Sequence, residues 1–337
     1  MNQSAPLAHL NPRKILVLSM EHLGDLIFST GLIPPLQERY PEAEVDVWCR
    51  RYTAPICRLA PGVGKIHTSE PFWEREWKKQ KGVFKAHLNT LKAVRREKYD
   101  LAVIPSFSWK VSASAALAGI PVRIGYRRRK NFLFQTHPQP QQNPNLPVMQ
   151  ELARLLEPLG IFVKDLRYRL DSSPLDSRKR ALAGRAPWER VVVVHPFGSH
   201  DAKTAPLPSF FLLAKYLISR KLHPLWIGTP GELERIRNAT SQWGPGHFID
   251  TLGSGEMGDA DAAISMAKFS IGTDSGPLHI ASGFGIPCLG IYTVQFFRRC
   301  FPQGVSVFQT ICKDSPDDIT GEDIIEGFEK LREGAGG

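Results

Sequence analysis

The most informative stretch of the chain runs from Lys268 to Tyr292 and reads KFSIGTDSGPLHIASGFGIPCLGIY. Its first residues, Phe269 to Gly272, form a short apolar run that predicts a buried strand, and the next four residues predict a turn. Pro277 suits the first position of a helix, because its φ is fixed near the helical value and it has no N–H to leave unpaired. A strand therefore leads directly into the N-terminus of a helix.

The start of this predicted helix is suited to an anion. Unpaired backbone N–H groups and the positive end of the helix dipole meet there, and Gly276 adds no Cβ that would block a phosphate. The imidazole of His279, in the first turn, can reach the same anion. The alternative is that Asp274 or Ser275 only caps the helix, which is the usual role of such residues at a helix start.

The order of residues from Asp274 to Ala281, DSGPLHIA, resembles the Asp-(Thr/Ser)-Gly-Pro-x-His-x-Ala signature of glycosyltransferase family 9, the bacterial heptosyltransferases. The resemblance implies an α/β chain of the GT-B fold, with two Rossmann-like domains facing across a cleft. It also implies a nucleotide-sugar donor site lined by Asp274, Ser275, Gly276, Pro277 and His279.

Sugar transfer needs a base that takes the proton from the attacking hydroxyl, and positive charge that stabilises the departing diphosphate. Gly24 and Asp25 follow the first predicted strand and are similar to the family's Gly-Asp motif, although the family often has Pro where this chain has Leu32. The resemblance makes Asp25 the general base and leaves room for the acceptor at Gly24. The alternative is that Asp25 is an ordinary acidic residue in the first turn of a helix.

Two motifs in the second half of the chain are expected to bind the donor. The segment from Val194 to Pro206 resembles a family element in which a Gly-containing loop supplies a Lys, although Ala205 stands where Trp is usual. Gly198 and Lys203 are therefore expected at the donor diphosphate. Glu232 is similar to the Glu of the family's Gly-x-Pro-x-Glu turn, and we expect it to accept hydrogen bonds from both ribose hydroxyls. A solvated Lys and a first-turn Glu are the alternatives, and Glu234 is a nearby competitor for the role of Glu232.

Two features need separate interpretation. Residues 292–299, YTVQFFRR, stand where the family commonly has Gly-Pro-Thr-Asp-Pro, and we expect this loop to border the donor site and to affect the choice of sugar. Asp259 and Asp261 spell the Asp-x-Asp of metal-dependent transferases, but they lie at the start of a predicted helix, where acidic residues commonly cap. We therefore expect no metal ion and no cofactor.

The order of predicted elements indicates two α/β halves. Strands are predicted at residues 14–18, 45–49, 101–105, 122–126, 191–194, 224–227, 247–249 and 269–272. Helices are predicted at 26–40, 111–118, 148–159, 208–219, 231–243, 257–267 and 320–331, and a loop at 137–147. The loop after the first strand lacks Gly-x-Gly-x-x-Gly, which argues against a dehydrogenase.

These elements divide the chain into expected domains. Residues 1–172 form the acceptor domain, 173–187 a linker, and 188–316 the nucleotide-sugar domain. The resemblance implies that the final segment, 317–337, contains a helix that packs back toward the first domain. A pattern resembling a capping box, Thr320 to Asp323, predicts where this helix begins.

The formal net charge of +10 indicates an acidic partner. The densest basic run contains Arg127, Arg128, Arg129 and Lys130, and we expect it to contact an anionic, lipid-linked glycan acceptor or the inner face of the cytoplasmic membrane. A solvated loop is the alternative. Residues 71–98, rich in aromatic and basic side chains, predict an amphipathic segment for the same kind of partner. No nucleic-acid-binding signature accompanies these charges, so nucleic acid is not an expected partner.

Composition limits the classes of protein. The 337 residues, 42% of them hydrophobic and 23% charged, are typical of a globular protein large enough for two domains. No apolar run reaches the roughly 18 residues of a membrane span, and residues 1–10 do not resemble a signal peptide. The five cysteines include no Cys-x-x-Cys pair, which argues against a zinc site. We therefore expect a cytoplasmic protein that is peripheral at the membrane.

The leading hypothesis is an inverting, metal-independent glycosyltransferase that moves a heptose from ADP-heptose to a lipopolysaccharide core acceptor. The residues themselves indicate a nucleotide sugar and an anion, whereas ADP-heptose and the core acceptor are what the resemblance implies. Two alternatives stay open. One is transfer of another sugar to a different surface glycan, and the other is a non-catalytic nucleotide- or glycan-binding subunit, which the altered 292–299 segment suggests.

Overall fold

The computed structural model describes residues 7–75, 77, 80–140, 143, 145–198, 203–241, 247–250 and 258–336. The chain divides into two compact units, Met1–Tyr168 and Arg169–Gly337. Each unit holds a six-stranded parallel sheet among the residues described. The predicted α/β class, with the two Rossmann-like sheets of the GT-B fold, is therefore confirmed.

The first unit alternates strands and helices along the chain. Its strands are β1 Lys14–Ser19, β2 Glu44–Cys49, β3 Ile66–Thr68, β4 Leu101–Ile104, β5 Val122–Tyr126 and β6 His137–Gln139. Its helices are α1 Leu23–Thr30, α2 Ile33–Arg39, α3 Ala54–Cys57, α4 Val83–Glu97, α5 Trp109–Leu117 and α6 Val148–Arg154. The strand order is β3-β2-β1-β4-β5-β6, with neighbouring strands parallel. The order reverses between β1 and β4, and ligands bind beyond the carboxyl ends of strands at such a point. We call this place the first switch point.

The second unit repeats this order. Its strands are β7 Val191–His195, β8 His223–Gly228, β9 Phe248–Asp250, β10 Phe269–Thr273, β11 Cys288–Thr293 and β12 Phe308–Lys313. Its helices are α7 Asp176–Leu182, α8 Leu207–Ser219, α9 Pro230–Ala239, α10 Asp259–Met266, α11 Gly276–Phe284, α12 Val294–Cys300 and α13 Gly321–Gly334. The parallel strands run in the order β12-β11-β10-β7-β8-β9. The second switch point therefore lies between β7 and β10.

The central strands are apolar along their whole length because helices cover both faces of each sheet. In β1, Ile15, Leu16 and Leu18 are fully buried, and in β7 all four valines are. The sequence shows a continuous apolar run at each of these positions. Both strands were therefore predicted within one residue of their observed ends. Both switch points thus lie next to strands that are buried over nearly their whole length.

The single helix predicted over residues 26–40 was wrong, because α1 and α2 occupy this stretch. Gly31 follows the last residue of α1, and Pro34 and Pro35 lie in the first turn of α2. Proline is tolerated in a first turn, where its missing N–H has no helical partner, but it disrupts a helix interior. The apolar periodicity continues across the break and conceals it.

Two predicted loops contain regular structure. Within 137–147, residues 137–139 form β6, which pairs with β5 alone and so tolerates Pro138 as an edge strand can. Gln141, Gln142 and Pro144 lie outside the described residues. The predicted loop at 292–299 is the end of β11 followed by α12, and the Tyr292 hydroxyl donates to the Cys300 carbonyl at 3.1 Å.

Contacts divide the chain after Tyr168, whereas we expected a domain end at residue 172 and a linker at 173–187. Residues 173–175 form a 3-10 turn that continues into α7, and α7 packs against α10. The predicted capping box of Thr320 and Asp323 starts α13. The face of α13 that is fully buried belongs to the core of the second unit and consists of Ile324, Phe328 and Leu331.

Residues 71–98, predicted to be amphipathic, contain α4. His87 and Val94 are buried on one side of this helix, while Lys85, Lys92 and other basic residues on it are exposed. Lys78 and Lys79 lie outside the described residues. Within the described part of the chain, no helix is both long enough and apolar enough to cross a bilayer.

Candidate active site

The second switch point lies where β7 ends at His195 and β10 ends at Thr273. The two strands pair with Gly272 opposite His195. A Cβ on Gly272 would lie 2.8 Å from the backbone oxygen of His195, so a side chain there would force the strands apart. The segments that follow both strands therefore meet at one edge of the sheet, and they carry most of the predicted donor-site residues.

Asp274 follows β10 and lies between a lysine and a histidine. Lys203 Nζ is 2.6 Å from Asp274 Oδ2, and His279 Nε2 is 3.4 Å from Asp274 Oδ1. Burial opposes ionisation of Asp274, but the hydrogen bonds and charges of His279 and Lys203 outweigh it and lower the pKa of Asp274. We call these three residues the Asp274 cluster. The Lys203 side chain is 17% exposed, so it can still meet a ligand.

Helix α11 begins next to this cluster. Ser275 is its N-cap residue and Gly276 its first residue, so Pro277 is second rather than first as predicted. The Ser275 side chain makes no capping hydrogen bond, and the Asp274 carboxylate is bonded to Lys203 and His279 instead. The alternative that these residues only cap the helix therefore fails, and the positive end of the α11 dipole is available to an anion.

His195 joins the two strand ends, although the motif analysis did not single it out. Its Nδ1 lies 3.0 Å from Ser275 Oγ. Burial lowers the pKa of His195 to about 4, and the negative charge of Glu232 opposes this only in part. His195 is therefore neutral at physiological pH. Its position at the end of β7, next to the predicted phosphate-binding element, was the available signal.

Gly198 allows the segment after β7 to approach Lys203. A Cβ on Gly198 would lie 2.5 Å from the Cβ of Lys203, and the Gly198 N–H donates to Thr204 Oγ1 at 3.1 Å. Residues 199–202 of this element lie outside the described part of the chain. Gly198 thus helps to position Lys203 at the switch point.

Glu232 lies in the first turn of α9 and forms a capping box with Thr229. The N–H and hydroxyl of Thr229 donate to Glu232 Oε2 at 2.7 and 2.9 Å. The first-turn alternative is therefore correct for this oxygen. Among the described residues none donates a hydrogen bond to Oε1, and the carboxylate is close enough to His195 to affect its pKa. One oxygen of Glu232 is thus placed to accept from a ligand.

The first switch point carries Gly24 and Asp25, the second and third residues of α1. Asp25 therefore occupies a first helical turn, where the helix dipole favours a negative charge. Its side chain is exposed. This placement agrees with the first-turn alternative and is also compatible with a base, because the turn lies directly beyond the end of β1.

Glu21 was missed by the sequence analysis and links the two strand ends at this switch point. Ser106, just after β4, donates from Oγ to Glu21 Oε1 at 2.5 Å. Burial raises the pKa of Glu21, the Ser106 hydrogen bond opposes the shift, and the negative charge of Asp25 adds to it. An acidic residue directly after β1 and four residues before Asp25 was the available signal. Two interacting carboxyl groups therefore lie where the base is expected.

The predicted acceptor residues follow β5 in the first unit. Arg127, Arg128 and Lys130 are exposed, and the side chain of Arg129 lies outside what the structure describes. Arg123, at the start of the same basic stretch, has a structural role, because its guanidinium donates to the carbonyls of Phe134 and Ile120.

Aromatic rings lie beside these cations. The Arg128 guanidinium is 5.4 Å from the centroid of the Phe107 ring, and Lys130 Nζ is 5.9 Å from that of Trp109. Lys110 Nζ also lies 5.8 Å from the Trp109 ring, which is 37% exposed. No described carboxylate forms an ion pair with these three cations. The sequence analysis missed Trp109 and Lys110, although an aromatic-basic pair close behind β4 is visible in the sequence.

Asp259 and Asp261 have local partners at the start of α10. The Gly258 N–H donates to Asp261 Oδ2 at 3.1 Å, and Asp259 pairs with Arg178 at 2.9 Å. Asp261 thus caps the helix as predicted. Within the described residues, no three His, Cys, Asp or Glu side chains are grouped so as to hold a metal ion.

Known proteins share this fold. Among curated proteins, lipopolysaccharide heptosyltransferase 3 of Escherichia coli is 24% identical over 282 residues, which cover 81% of each chain. Among solved structures, the E. coli ADP-heptose lps heptosyltransferase II has a TM-score of 0.76 at 20% identity and covers 96% of this chain and all of its own. The E. coli heptosyltransferase WaaC with ADP has a TM-score of 0.73 at 14% identity, covering 94% of this chain and 99% of its own.

A family model described as glycosyltransferase family 9 (heptosyltransferase) matches residues 88–314. The match spans well over half of the chain and includes the basic cluster, Lys203, Glu232 and the whole Asp274 to Ala281 signature. Gly24 and Asp25 precede it. The expected class of enzyme, a glycosyltransferase, is confirmed, and the chain belongs to glycosyltransferase family 9.

Proposed function

We propose that this enzyme transfers a heptose from ADP-heptose to an anionic sugar of a lipopolysaccharide core, with inversion at the anomeric carbon and without a metal ion. The relatives support the donor and the acceptor. One is named a lipopolysaccharide heptosyltransferase, the name of another contains ADP-heptose, and the structure of a third was solved with ADP. We assign the donor to the second unit and the acceptor to the first.

The observation that carries this proposal is the Asp274 cluster at the uncapped start of α11. Lys203 offers a positive charge and α11 offers unpaired N–H groups, which together suit a diphosphate. As the bond from the sugar to the diphosphate breaks, negative charge grows on the departing ADP. Fixed positive charge at that place lowers the barrier because it needs no rearrangement during the reaction. This is the role that a metal ion has in other transferases.

Asp25 is our candidate for the general base. In the proposed step its carboxylate takes the proton of an acceptor hydroxyl, and the hydroxyl oxygen forms a bond to C1 of the heptose. The bond between C1 and the diphosphate oxygen breaks at the same time, and its electron pair leaves with ADP. Because attack comes from the side opposite ADP, one displacement inverts C1. The position of Asp25 directly beyond the end of β1 supports this assignment, and its charge acts on Glu21, whose pKa it helps to raise.

The basic and aromatic residues of the first unit are proposed to hold the acceptor. Arg127, Arg128, Lys110 and Lys130 present charge that no described carboxylate compensates, and Trp109 presents an exposed ring on which a sugar can stack. An acceptor that carries phosphate on a lipid-linked sugar satisfies both features. We place the reaction at the inner face of the cytoplasmic membrane, where such an acceptor is made.

The test is a reaction of purified protein with ADP-heptose and defined core acceptors, followed by ADP release and by NMR of the new linkage. We expect ADP release only with donor and acceptor together, an inverted anomeric centre, and unchanged turnover in EDTA. Release with a different nucleotide sugar but not with ADP-heptose would transfer the proposal to that donor. Tight ADP-heptose binding with no ADP release in the presence of any acceptor would indicate a binding subunit instead.

A further inference from the structure

Ser275 is in the right place to cap α11 but does not do so. Serine is among the preferred N-cap residues, and its backbone here is extended, with φ −151° and ψ 164°, as an N-cap residue requires. Its hydroxyl instead points away from the helix and bonds the Thr273 carbonyl at 3.1 Å and His195 Nδ1 at 3.0 Å. Something in the site therefore competes successfully with the helix for this side chain.

The competitor is His195 acting as a donor. A hydroxyl has one proton, and the Ser275 hydroxyl gives it to the Thr273 carbonyl, so the bond to His195 uses a lone pair of Oγ. We therefore assign the donor role in this pair, and with it a ring proton, to His195 Nδ1, which lies 3.0 Å from Ser275 Oγ. The Ser275 hydroxyl thus donates one hydrogen bond to the Thr273 carbonyl and accepts one from His195, and both bonds hold it at the strand ends.

This arrangement determines which backbone groups of α11 remain unpaired. An N-cap side chain accepts from the second or third helical N–H. The second residue is Pro277, which has no N–H, so the Leu278 N–H is the group that Ser275 would cap. Among the described residues none accepts a hydrogen bond from it. The Leu278 N–H lies in the first turn of a helix whose start is beside Lys203 and Asp274.

We propose that His195 is a positioning residue that holds the Ser275 hydroxyl away from α11 and so keeps the Leu278 N–H available for the diphosphate of the donor. The inference rests on the proposed donor site. Without the His195 donor, Ser275 can rotate onto the Leu278 N–H and compete with the ligand for it.

The test is a set of variants in the full-length protein, with ADP affinity measured by calorimetry. His195→Leu removes the donor and should weaken ADP binding about tenfold, the effect of losing one hydrogen bond to a charged ligand. His195→Asn places an amide N–H near the position of Nδ1 and should stay within about threefold of wild type. The double variant His195→Leu with Ser275→Ala has no competing hydroxyl, and its affinity should return to that of Ser275→Ala alone. If the double variant binds as weakly as His195→Leu, or if the Asn variant does, the inference is wrong.

A second measurement does not depend on the donor. Amide hydrogen exchange of Leu278, followed by NMR without ligand, should slow in His195→Leu because Ser275 then caps this N–H, and should return to the wild-type rate in the double variant. Failure of wild type to bind ADP would overturn the proposed donor site, whereas equal Leu278 exchange in all variants would overturn the positioning role of His195.

Discussion

The two switch points occupy the same place in two sheets of the same strand order, yet their charges are arranged in opposite ways. At the second, the Asp274 carboxylate is paired with Lys203 and His279, which lower its pKa. At the first, the Glu21 carboxyl is buried beside a second acid, Asp25, and its pKa is raised. One place stabilises an ionised carboxylate, and the other stabilises a carboxyl that keeps its proton to higher pH.

The comparison teaches that the topology determines where chemistry occurs but not which chemistry it is. A carboxylate that is neutralised by fixed cations acts as a support that orients positive charge toward phosphates. A pair of neighbouring acids titrates closer to neutrality and suits transfer of a proton. We therefore assign proton transfer to the first switch point and phosphate binding to the second, and experiments on both units test this division.

The largest effect is expected at Asp25. Asp25→Asn keeps the size of the side chain but cannot take the hydroxyl proton, so turnover should fall by about 10² to 10⁴-fold. ADP affinity should depend on the second switch point and should therefore change by less than about twofold. Steady-state kinetics and calorimetry measure the two quantities. If the variant turns over as fast as wild type, Asp25 is not the base.

The next largest effect is expected at Lys203. Lys203→Ala removes a charge-assisted contact worth about 1.5 to 3 kcal/mol, so calorimetry should show ADP binding weakened about tenfold or more. Lys215→Ala, at an exposed position of α8 in the same unit, is the matched control and should leave ADP affinity unchanged. If both variants bind ADP like wild type, Lys203 is a partner of Asp274 only.

A smaller effect is expected for the basic cluster of the first unit. Replacing Arg127, Arg128 and Lys130 with Gln should raise the acceptor KM about three- to tenfold at low salt, because each exposed charge contributes only about 0.2 to 0.5 kcal/mol where solvent screens it. The difference should shrink at physiological salt, where screening acts within about 8 Å. ADP affinity should not change.

The matched control neutralises three exposed cations of the second unit, Lys215, Arg220 and Lys221, and alters the net charge by the same amount. If the control raises the acceptor KM as much as the cluster does, the effect comes from net charge and not from a site. Vesicles of anionic lipid without acceptor provide a separate arm. Loss of vesicle binding with an unchanged acceptor KM would assign the cluster to the membrane.

The smallest effect is expected at Glu21 and concerns pH. The negative charge of Asp25 adds to the raised pKa of Glu21, so Asp25→Asn should lower the pKa of Glu21 by about half a pH unit, as followed by NMR titration of the Glu21 carboxyl. The exposed acid Glu42, changed to Gln, is the control in the same unit. A Glu21 pKa that stays the same in Asp25→Asn would show that the two acids do not interact.

The fold was largely predictable because its signals are local. Apolar runs such as Val191 to Val194 predicted the central strands, and the Thr320 to Asp323 pattern predicted the start of α13. The short edge strands β3 and β6 were not predicted, since their formation depends on a neighbouring strand and not on their own residues. The six-residue strands β11 and β12 were not predicted either. The break between α1 and α2 was missed because Pro34 and Pro35 lie in a first turn, where proline is permitted.

The candidate site was predictable in its members but not in its contacts. The resemblance to the family's motifs identified Lys203 and Asp274, which lie 71 positions apart, without indicating that they would pair at 2.6 Å. Glu21 and His195 were missed because a buried acid or histidine has no sequence signature until the fold surrounds it. Their altered pKa values arise from burial and from neighbours brought in by other strands.

The burial of α13 has a consequence for the synthesis of this protein. Ile324, Phe328 and Leu331 complete the core of the second unit, but the ribosome adds them about 150 residues after Tyr168, the end of the first unit. At roughly 5 to 20 residues per second this delay lasts about 8 to 30 s. The first unit can fold during that time. The apolar faces of α8, β11 and β12 stay uncovered until α13 is synthesised. We therefore expect the nascent second unit to bind chaperones during this interval.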